Sequence, residues 1–427
     1  MYGKSPKISK KTHTRKIFTF FQPIYHWKMA LLGAIIYRFP SKKIKVVAIT
    51  GTKGKTSTVE FVNAILEAAG FKTALAGTLR FKIGDDSRPN LYKMTMPGRF
   101  FIQKFLRRAV DAGCEYAVIE ISSEASKQYR HKFIDLDALI FTNIAPEHIE
   151  SHGSFEKYLQ AKLNIAKALE QSPKKNKIIV SNMDDAEGET FLNTKVTHQI
   201  PYSLKDAGDF ALTDSGSNFY WKGRMVNSKV LGKFNIYNML GAASLTSTLG
   251  IDDETIKQGL ETVTEIQGRA QKIDCGQKFE VIVDYAHTPD SLRAIYETFT
   301  HNKIIGVLGN CGGGRDKWKR QMMAEIADHF CTDIILTDED PYDDDPMEII
   351  LDMAKFIKKE TPTIEIDRRR AIAAAFETAK NYNNPNVVVV ITGKGTDPYI
   401  MRKDGKKESW SDAEVAREEL KKLLAQS

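Results

Sequence analysis

Acidic residues are missing from the first 59 positions, and the first one is Glu60. Cysteine is scarce: the 427 residues hold four, Cys114, Cys275, Cys311 and Cys331, with no C-x-x-C pair. That excludes a disulfide framework and a cysteine-rich zinc site, and it fits reduced thiols in a cytoplasmic protein. Long apolar runs are missing near the N-terminus, where the patch Met29 to Tyr37 falls well short of the roughly 20 residues a spanning helix needs. A basic tail, Lys4 to Lys16, precedes that patch in the manner of a secretory signal, but no small-residue cleavage site follows. There is no internal repeat and no low-complexity tract, so neither a repeat array nor a disordered linker is expected.

What is present reads as globular. Hydrophobic residues make up 42% and charged residues 27%, a soluble balance. The length exceeds one ordinary core and predicts two or three domains. Net charge is +8, concentrated at the N-terminus. Two readings of that segment stand: a helix packed on the following domain, or a basic amphipathic segment lying on an anionic membrane surface. The basic residues are not interleaved with a recognition motif, so no nucleic acid partner is expected.

Thr50-Gly51-Thr52-Lys53-Gly54-Lys55-Thr56-Ser57 stands between a β-branched run, Ile44 to Ile49, and an amphipathic run, Glu60 to Ala69. Strand, glycine-rich turn and helix make a phosphate-binding loop. Glycines let backbone N–H groups approach phosphate, and the helix N-terminus adds partial positive charge. Lys55 would reach the β/γ-phosphates and the Thr56 hydroxyl would help hold Mg²⁺. The common G-x-x-x-x-G-K-[ST] spacing is not met, because Ile49 occupies its first glycine.

From Lys45 to about Val230, short β-branched runs alternate with helical stretches, the pattern of a largely parallel sheet. Val46–Ile49, Tyr116–Ile121, Ala138–Asn143 and Lys177–Ser181 read as strands. Phe210–Thr213, Asn218–Lys222 and Met225–Val230 read as local β structure, and Gly232 to Leu249 as a helix. A linker near Glu265 to Arg269 leads to a second alternating unit with strands Glu280–Asp284, Lys303–Leu308, Asp333–Thr337 and Asn386–Thr392.

Strand C-termini are where α/β sheets place ligands, and chemistry-bearing residues cluster there. Glu120 ends one strand, a natural Mg²⁺ ligand opposite a phosphate loop. His148 and His152 share the loop after the next strand. Lys162 lies on the following helix, and nothing in the pattern singles it out. Asp284 and His287 follow a strand of the second unit. The glycine-dense loop Gly309 to Gly314 leads to Arg315, a fork suited to carboxylate or phosphate. Thr337 to Pro346 is the most acidic stretch and would favour a cationic amine. Gly393-Lys394-Gly395-Thr396-Asp397 closes the last strand.

Together these stretches resemble the Mur ligase family of ATP-dependent amide-bond ligases, most closely its UDP-N-acetylmuramoyl-tripeptide synthetase branch (MurE type). The resemblance runs from about Val46 to about Leu420, and GTKGKTS is the family's form of the phosphate loop. It implies an α/β fold: a central P-loop ATPase-like parallel-sheet domain, then a Rossmann-like C-terminal α/β domain. The segments would be 1–44, a basic helical segment, 45–266, the central domain, and 267–427, the C-terminal domain. The implied chemistry is ATP- and Mg²⁺-dependent addition of a diamino acid to a muramoyl dipeptide through an acyl phosphate. The implied loop contacts to ATP are Gly51 to Ser57. Lys55 and Thr56 would serve phosphate and metal, with Glu120 shared by the metals and His148 a ligand of the second. Lys162 falls where the family carries a carbamylated lysine. Asn235 and Asn238 match the adenine-side motif, Arg269 the arginine reaching the γ-phosphate, and Asp284 the ribose contact. Thr95, Ser122, Gln128 and Arg130 match positions that hold the muramoyl substrate. Arg315, Asp340, Tyr342, Gly393 and Asp397 match the amino-acid pocket. Small-molecule substrates, a cytoplasmic location and a monomer are expected.

Three departures matter. Members using meso-diaminopimelate carry Asp-Asn-Pro-Arg where this chain has Glu339-Asp340-Pro341-Tyr342. Losing that arginine removes the charge-assisted partner of a distal carboxylate, so an L-lysine-like amino acid is favoured. The Gly-Lys-Gly-His-Glu motif reads Gly393 to Asp397, and Ser-Ser-His reads Ser122-Ser123-Glu124. The branch also carries a UDP-binding domain ahead of the phosphate loop, where this chain has only its basic segment. The alternatives are a ligase for a folate, cyanophycin or poly-glutamate acceptor, or a nucleotide-binding protein without catalysis. Ser122, Gln128 and Arg130 speak against the first, and Lys55, Glu120, His148 and Lys162 against the second.

Overall fold

The structure, a computed structural model, describes residues 10–92, 94–147, 149–213, 215–314 and 317–426, and of residues 10–21, 149 and 150 the backbone alone. Alternating β-branched runs build an eight-stranded sheet from β1 (Lys45–Thr50), β2 (Thr73–Ala76), β3 (Arg80–Ile83), β4 (Asp86–Pro89), β5 (Tyr116–Glu120), β6 (Ala138–Phe141), β7 (Ile178–Asn182) and β8 (His198–Tyr202). The order is β4-β3-β2-β5-β1-β6-β7-β8. The β2–β3 and β3–β4 pairings at one edge are antiparallel, and the remaining pairings are parallel.

Side chains alternate across β1, and each face buries a separate core. Val47 and Ile49 pack with Val59, Val62 and Ile65 of the helix Lys55–Ala68 and with Ile236 and Leu240 of the helix Lys233–Thr248. Val46 and Ala48 pack with Ile102 and Leu106 of the helix Arg99–Asp111 and with Ile165 and Leu169 of the helix Phe155–Glu170. β1 lies between β5 and β6, where chain direction around the sheet switches, so its C-terminal end opens a crevice.

A three-stranded antiparallel meander follows, from β9 (Phe210–Thr213), β10 (Gly216–Trp221) and β11 (Arg224–Ser228). The second sheet comprises β12 (Gln271–Lys272), β13 (Glu280–Asp284), β14 (Lys303–Leu308), β15 (Asp333–Leu336), β16 (Thr363–Ile364) and β17 (Val387–Thr392), in the order β12-β13-β17-β14-β15-β16. β17 is wholly buried, with Val388 and Val390 facing one core and Val387, Val389 and Ile391 the other. A hairpin, β18 (Tyr399–Met401) and β19 (Lys407–Ser409), precedes the last helix, Asp412–Ala425.

The long helix Lys10–Ile36 packs on the helix Arg99–Asp111 through Ala30, Gly33 and Ala34. Arg107 donates to the carbonyls of Tyr37 at 3.0 Å and Arg38 at 3.1 Å, closing its C-terminal end. Among the described residues no helix is long and apolar enough to cross a membrane.

Candidate active site

The phosphate loop is held open by glycine. At Gly51, with φ +151°, a Cβ would lie 1.9 Å from Thr142 Oγ1, and at Gly54, with φ +82°, 2.2 Å from Asn238 Oδ1. β6 pins the loop from the side. Thr52 N–H donates to the Asn143 carbonyl at 2.8 Å, Lys53 N–H to Asn143 Oδ1 at 2.9 Å, and Thr142 Oγ1 to the Lys53 carbonyl at 2.6 Å. The Thr52 and Tyr158 hydroxyls share a hydrogen bond of 2.9 Å.

Three lysine side chains gather here. Lys55 Nζ donates to the carbonyls of Gly51 and Thr52, both at 2.9 Å, and Lys162 Nζ donates to Gly51 at 2.6 Å. Neither has a carboxylate within ion-pair distance among the described residues. Burial pulls Lys55 down, with Glu120 opposing, and pulls Lys162 well below the usual lysine range, with Lys55 adding to it. Lys53 Nζ pairs with Glu147 at 3.3 Å.

Glu120 ends β5, in register with Ile49 of β1, and is buried. Its oxygens accept from Thr78 N–H and Thr78 Oγ1, each at 2.9 Å, and Thr78 Oγ1 lies 3.0 Å from Thr95 Oγ1. Thr56 lies in the first turn of the helix Lys55–Ala68 and is buried. Among the described residues no three His, Cys, Asp or Glu side chains cluster as a metal cage. The Glu120 carboxylate and the Thr56 hydroxyl are oxygen donors, the kind a hard cation such as Mg²⁺ takes. His148 lies outside the described residues. His152 turns instead to Ser123 Oγ at 3.2 Å.

Asn235 and Asn238 sit on the helix Lys233–Thr248. Asn235 donates to the Leu231 carbonyl at 2.8 Å and accepts from Asn238 at 2.9 Å, while Asn238 Oδ1 accepts from Thr58 at 3.3 Å. Nearby, Val230, Leu231, Glu265, Ile266, Arg269 and Ala270 line a cavity of about 160 Å³. The Arg269 guanidinium stacks 4.5 Å over Tyr285, and Asp284 accepts from Ala270 N–H at 2.6 Å. Burial pushes the Asp284 carboxyl up and Arg269 opposes that shift. His287 links the two sheets: Nδ1 meets the Tyr285 carbonyl at 2.7 Å and Nε2 meets Glu147 at 3.0 Å.

On the acceptor side, Ser122 caps the short helix Ser123–Lys127 through Ala125 N–H at 3.2 Å. Arg130 donates to Gln128 Oε1 at 2.7 Å and to the Met96 carbonyl. Arg99 donates to the Gln128 carbonyl at 3.0 Å and reaches His26.

At the second sheet, Lys394 is fully buried between Asp340 at 2.8 Å and Asp397 at 3.2 Å. Tyr342 has φ 54° and donates its N–H to the Met401 carbonyl at 3.2 Å. Arg315 lies outside the described residues. The acidic stretch is mostly engaged in holding the fold. Asp338 pairs with Arg402, Asp340 also accepts from Met401 N–H at 2.7 Å, Asp344 from Gly313 N–H at 3.1 Å, and Asp345 from Met347 N–H at 2.9 Å. Glu339 differs: Oε1 accepts from Cys311 Sγ at 3.1 Å, and the buried Oε2 has no hydrogen-bond partner among the described residues. A Cβ at Gly393 would lie 2.5 Å from that oxygen. Burial and Asp340 push the Glu339 carboxyl up.

Sequence reasoning passed over Arg99, Glu147 and Glu339. Glu147 adjoins the two flagged histidines and Glu339 sits in the flagged acidic run. Arg99 gave no signal, being one more basic residue on an amphipathic helix.

A phosphate loop on one parallel sheet, linked to a glycine- and carboxylate-lined strand edge on another, defines a two-unit nucleotide-using enzyme. Residues 49–246 match the Mur ligase middle domain and residues 268–395 the Mur ligase glutamate ligase domain. The chain belongs to the Mur ligase family and is an ATP-dependent, ADP-forming acid–amino-acid ligase. It is 38% identical to a UDP-N-acetylmuramoyl-L-alanyl-D-glutamate–2,6-diaminopimelate ligase of Syntrophomonas wolfei, over 92% of this chain and 81% of that protein. A solved ligase of the same name is similar at 27% identity with a TM-score of 0.61, covering 89% and 79% of the two chains. A folylpolyglutamate synthase of Mycobacterium tuberculosis complexed with ADP and AMPPCP shares the fold, at 16% identity and a TM-score of 0.69 over 86% and 92%.

Proposed function

We propose that this ligase adds a diamino acid, L-lysine-like rather than meso-diaminopimelate, to a UDP-N-acetylmuramoyl-dipeptide-type acceptor in peptidoglycan precursor synthesis. The gathering of Lys55 and Lys162 at the Gly51 carbonyl, beside Glu120, carries the ligase chemistry. ATP phosphorylates the acceptor carboxylate. The amine then attacks the acyl phosphate, an amide forms and phosphate leaves. Positioning and charge neutralisation by Lys55 and Arg269 do most of the catalysis. Thr56, Glu120 and His148 would hold Mg²⁺, which adds positive charge where phosphate negative charge develops.

Lys162 has no carboxylate within ion-pair distance among the described residues, and two cations stand nearby, so its neutral amine is favoured. A neutral amine takes up CO₂, releases a proton and becomes a carbamate anion able to join the metal ligands. The cavity beside Arg269 suits the adenine ring, with Asn235 and Asn238 next to it and Asp284 toward the ribose. Residues 45–266 and 267–427 would close as two domains about Glu265–Arg269.

The unpartnered oxygen of Glu339 supports a distal ammonium, since a second carboxylate there would find like charge. Addition of diaminopimelate is the rival reading, and the similarity to the diaminopimelate ligases favours it. Phosphate release and product mass across L-lysine, ornithine, meso-diaminopimelate and no amino acid separate them. Turnover with lysine or ornithine alone supports the proposal, and turnover with diaminopimelate discards the Glu339 argument.

The helix Lys10–Ile36 exposes Ile24, Trp27, Leu32, Ile35 and Ile36 beside Lys28, and Arg38, Lys42 and Lys43 follow it. This suits a peripheral contact with an anionic membrane surface. Co-sedimentation with anionic but not neutral vesicles checks that contact.

A further inference from the structure

Two arginines converge beside the acceptor residues without a carboxylate. Arg99 opens the helix Arg99–Asp111, whose first turn has no acidic residue. Arg99 Nε and Arg130 Nη2 both donate to Gln128, to its carbonyl at 3.0 Å and its Oε1 at 2.7 Å, so the guanidinium groups are neighbours. Burial lowers the proton affinity of both, Arg130 lowers that of Arg99 further, and Glu124 opposes the shift at Arg130. Among the described residues no carboxylate lies within ion-pair distance of either. Glu124, the nearest, is held by Ser151 and by Gln128 at 3.4 Å. His26 completes the group from the helix Lys10–Ile36. Its Nδ1 faces an Arg99 N–H, so that nitrogen accepts and the ring is neutral with its hydrogen on Nε2. Trp27 fixes this part of the helix by an edge contact with Phe133, at 5.4 Å between centroids.

Two permanent cations held together cost free energy that an anion relieves. A doubly charged oxyanion matches two forks better than a single carboxylate does. We propose that Arg99 and Arg130, completed by His26, form a subsite for the diphosphate of the acceptor, so that the N-terminal helix is part of the acceptor site. A diphosphate linked to a nucleotide and one linked to a lipid share this chemistry. The ligand's identity as the acceptor's diphosphate rests on the function proposed above, but anion binding by Arg99 does not.

The test uses the full chain saturated with a non-hydrolysable ATP analogue, which fills the phosphate loop. Inorganic diphosphate, UDP and nucleotide-free N-acetylmuramoyl-dipeptide are titrated into wild type, Arg99→Ala, Arg99→Lys and His26→Ala. Diphosphate and UDP are expected to bind wild type, at least tenfold more weakly to Arg99→Ala, with partial recovery in Arg99→Lys and a few-fold loss in His26→Ala. The dipeptide probe should change less than twofold. Affinity for the ATP analogue and the unfolding midpoint show that each variant is folded. Equal diphosphate binding by wild type and Arg99→Ala, or none by wild type, overturns the proposal. A loss confined to the dipeptide probe overturns the diphosphate assignment. KM for UDP-linked and for polyprenyl-diphosphate-linked acceptor in micelles then identifies the source, with KM rising and kcat holding in Arg99→Ala for whichever is used. If no acceptor turns over while diphosphate binding still depends on Arg99, the proposed function fails and the subsite stands.

Discussion

The two sheets carry charge in opposite ways. At the end of β1, Lys55 and Lys162 rest on backbone carbonyls with no carboxylate within ion-pair distance among the described residues. At the end of β17, Lys394, as buried as Lys162, is locked between Asp340 and Asp397. Behind it Arg368 is clamped to Asp412 at 2.8 Å, with both side chains almost fully buried. Lys55, left on carbonyls, can exchange those contacts for phosphate oxygens, and Lys162, left without a carboxylate, can give up its proton. Cations locked in pairs give shape to a pocket and cannot leave it without a large penalty. The first arrangement suits a site that meets a highly charged ligand, and the second a wall that meets a small one.

The comparison breaks first at Lys162. Lys162→Ala should lower kcat by roughly a hundredfold or more, the scale of removing a group that stabilises transition-state charge. Added bicarbonate should not restore activity, and retained activity measured by phosphate release would count against the carbamate. Next comes acid sensitivity. Burial holds the His131 imidazole down to about 3, with Lys132 adding to the shift and the Ala125 backbone opposing it. The unfolded chain binds a proton near pH 6.5 and the folded one does not, so this residue's contribution is lost as pH falls from about 6.5 toward about 3, by up to about 1.4 kcal/mol per pH unit. His131→Leu should flatten that slope in urea unfolding at pH 4 and 7. The smallest effect expected is at Glu339. Glu339→Gln should raise KM for lysine about tenfold with little change in stability, and an unchanged KM would remove Glu339 from the amino-acid pocket.

The sheet strands were legible because β-branched runs such as Val387 to Ile391 must be buried on both faces. β4 and β8 were missed, since Asp86 to Pro89 and His198 to Tyr202 are largely polar edge segments, and β2, β3, β12, β16, β18 and β19 were missed because each runs only two to four residues. The phosphate loop was legible from Gly51 to Ser57 alone. Lys162 was not, because a helix lysine looks solvated until the fold buries it, and only family resemblance marked it. The acidic stretch was legible as a cluster but not as partners. Arg402, Lys394 and the Met401 amide come from elsewhere in the chain, and among the described residues they leave one Glu339 oxygen without a hydrogen bond. Arg99 was unreadable for the same reason: its meaning comes from Arg130 and His26 beside it.

Urea unfolding of Lys162→Met and Lys394→Met without nucleotide tests the contrast most directly. The account predicts opposite signs: Lys162→Met unchanged or more stable, and Lys394→Met less stable by about 3–5 kcal/mol because Asp340 and Asp397 lose their cation. Similar losses in both variants would contradict it.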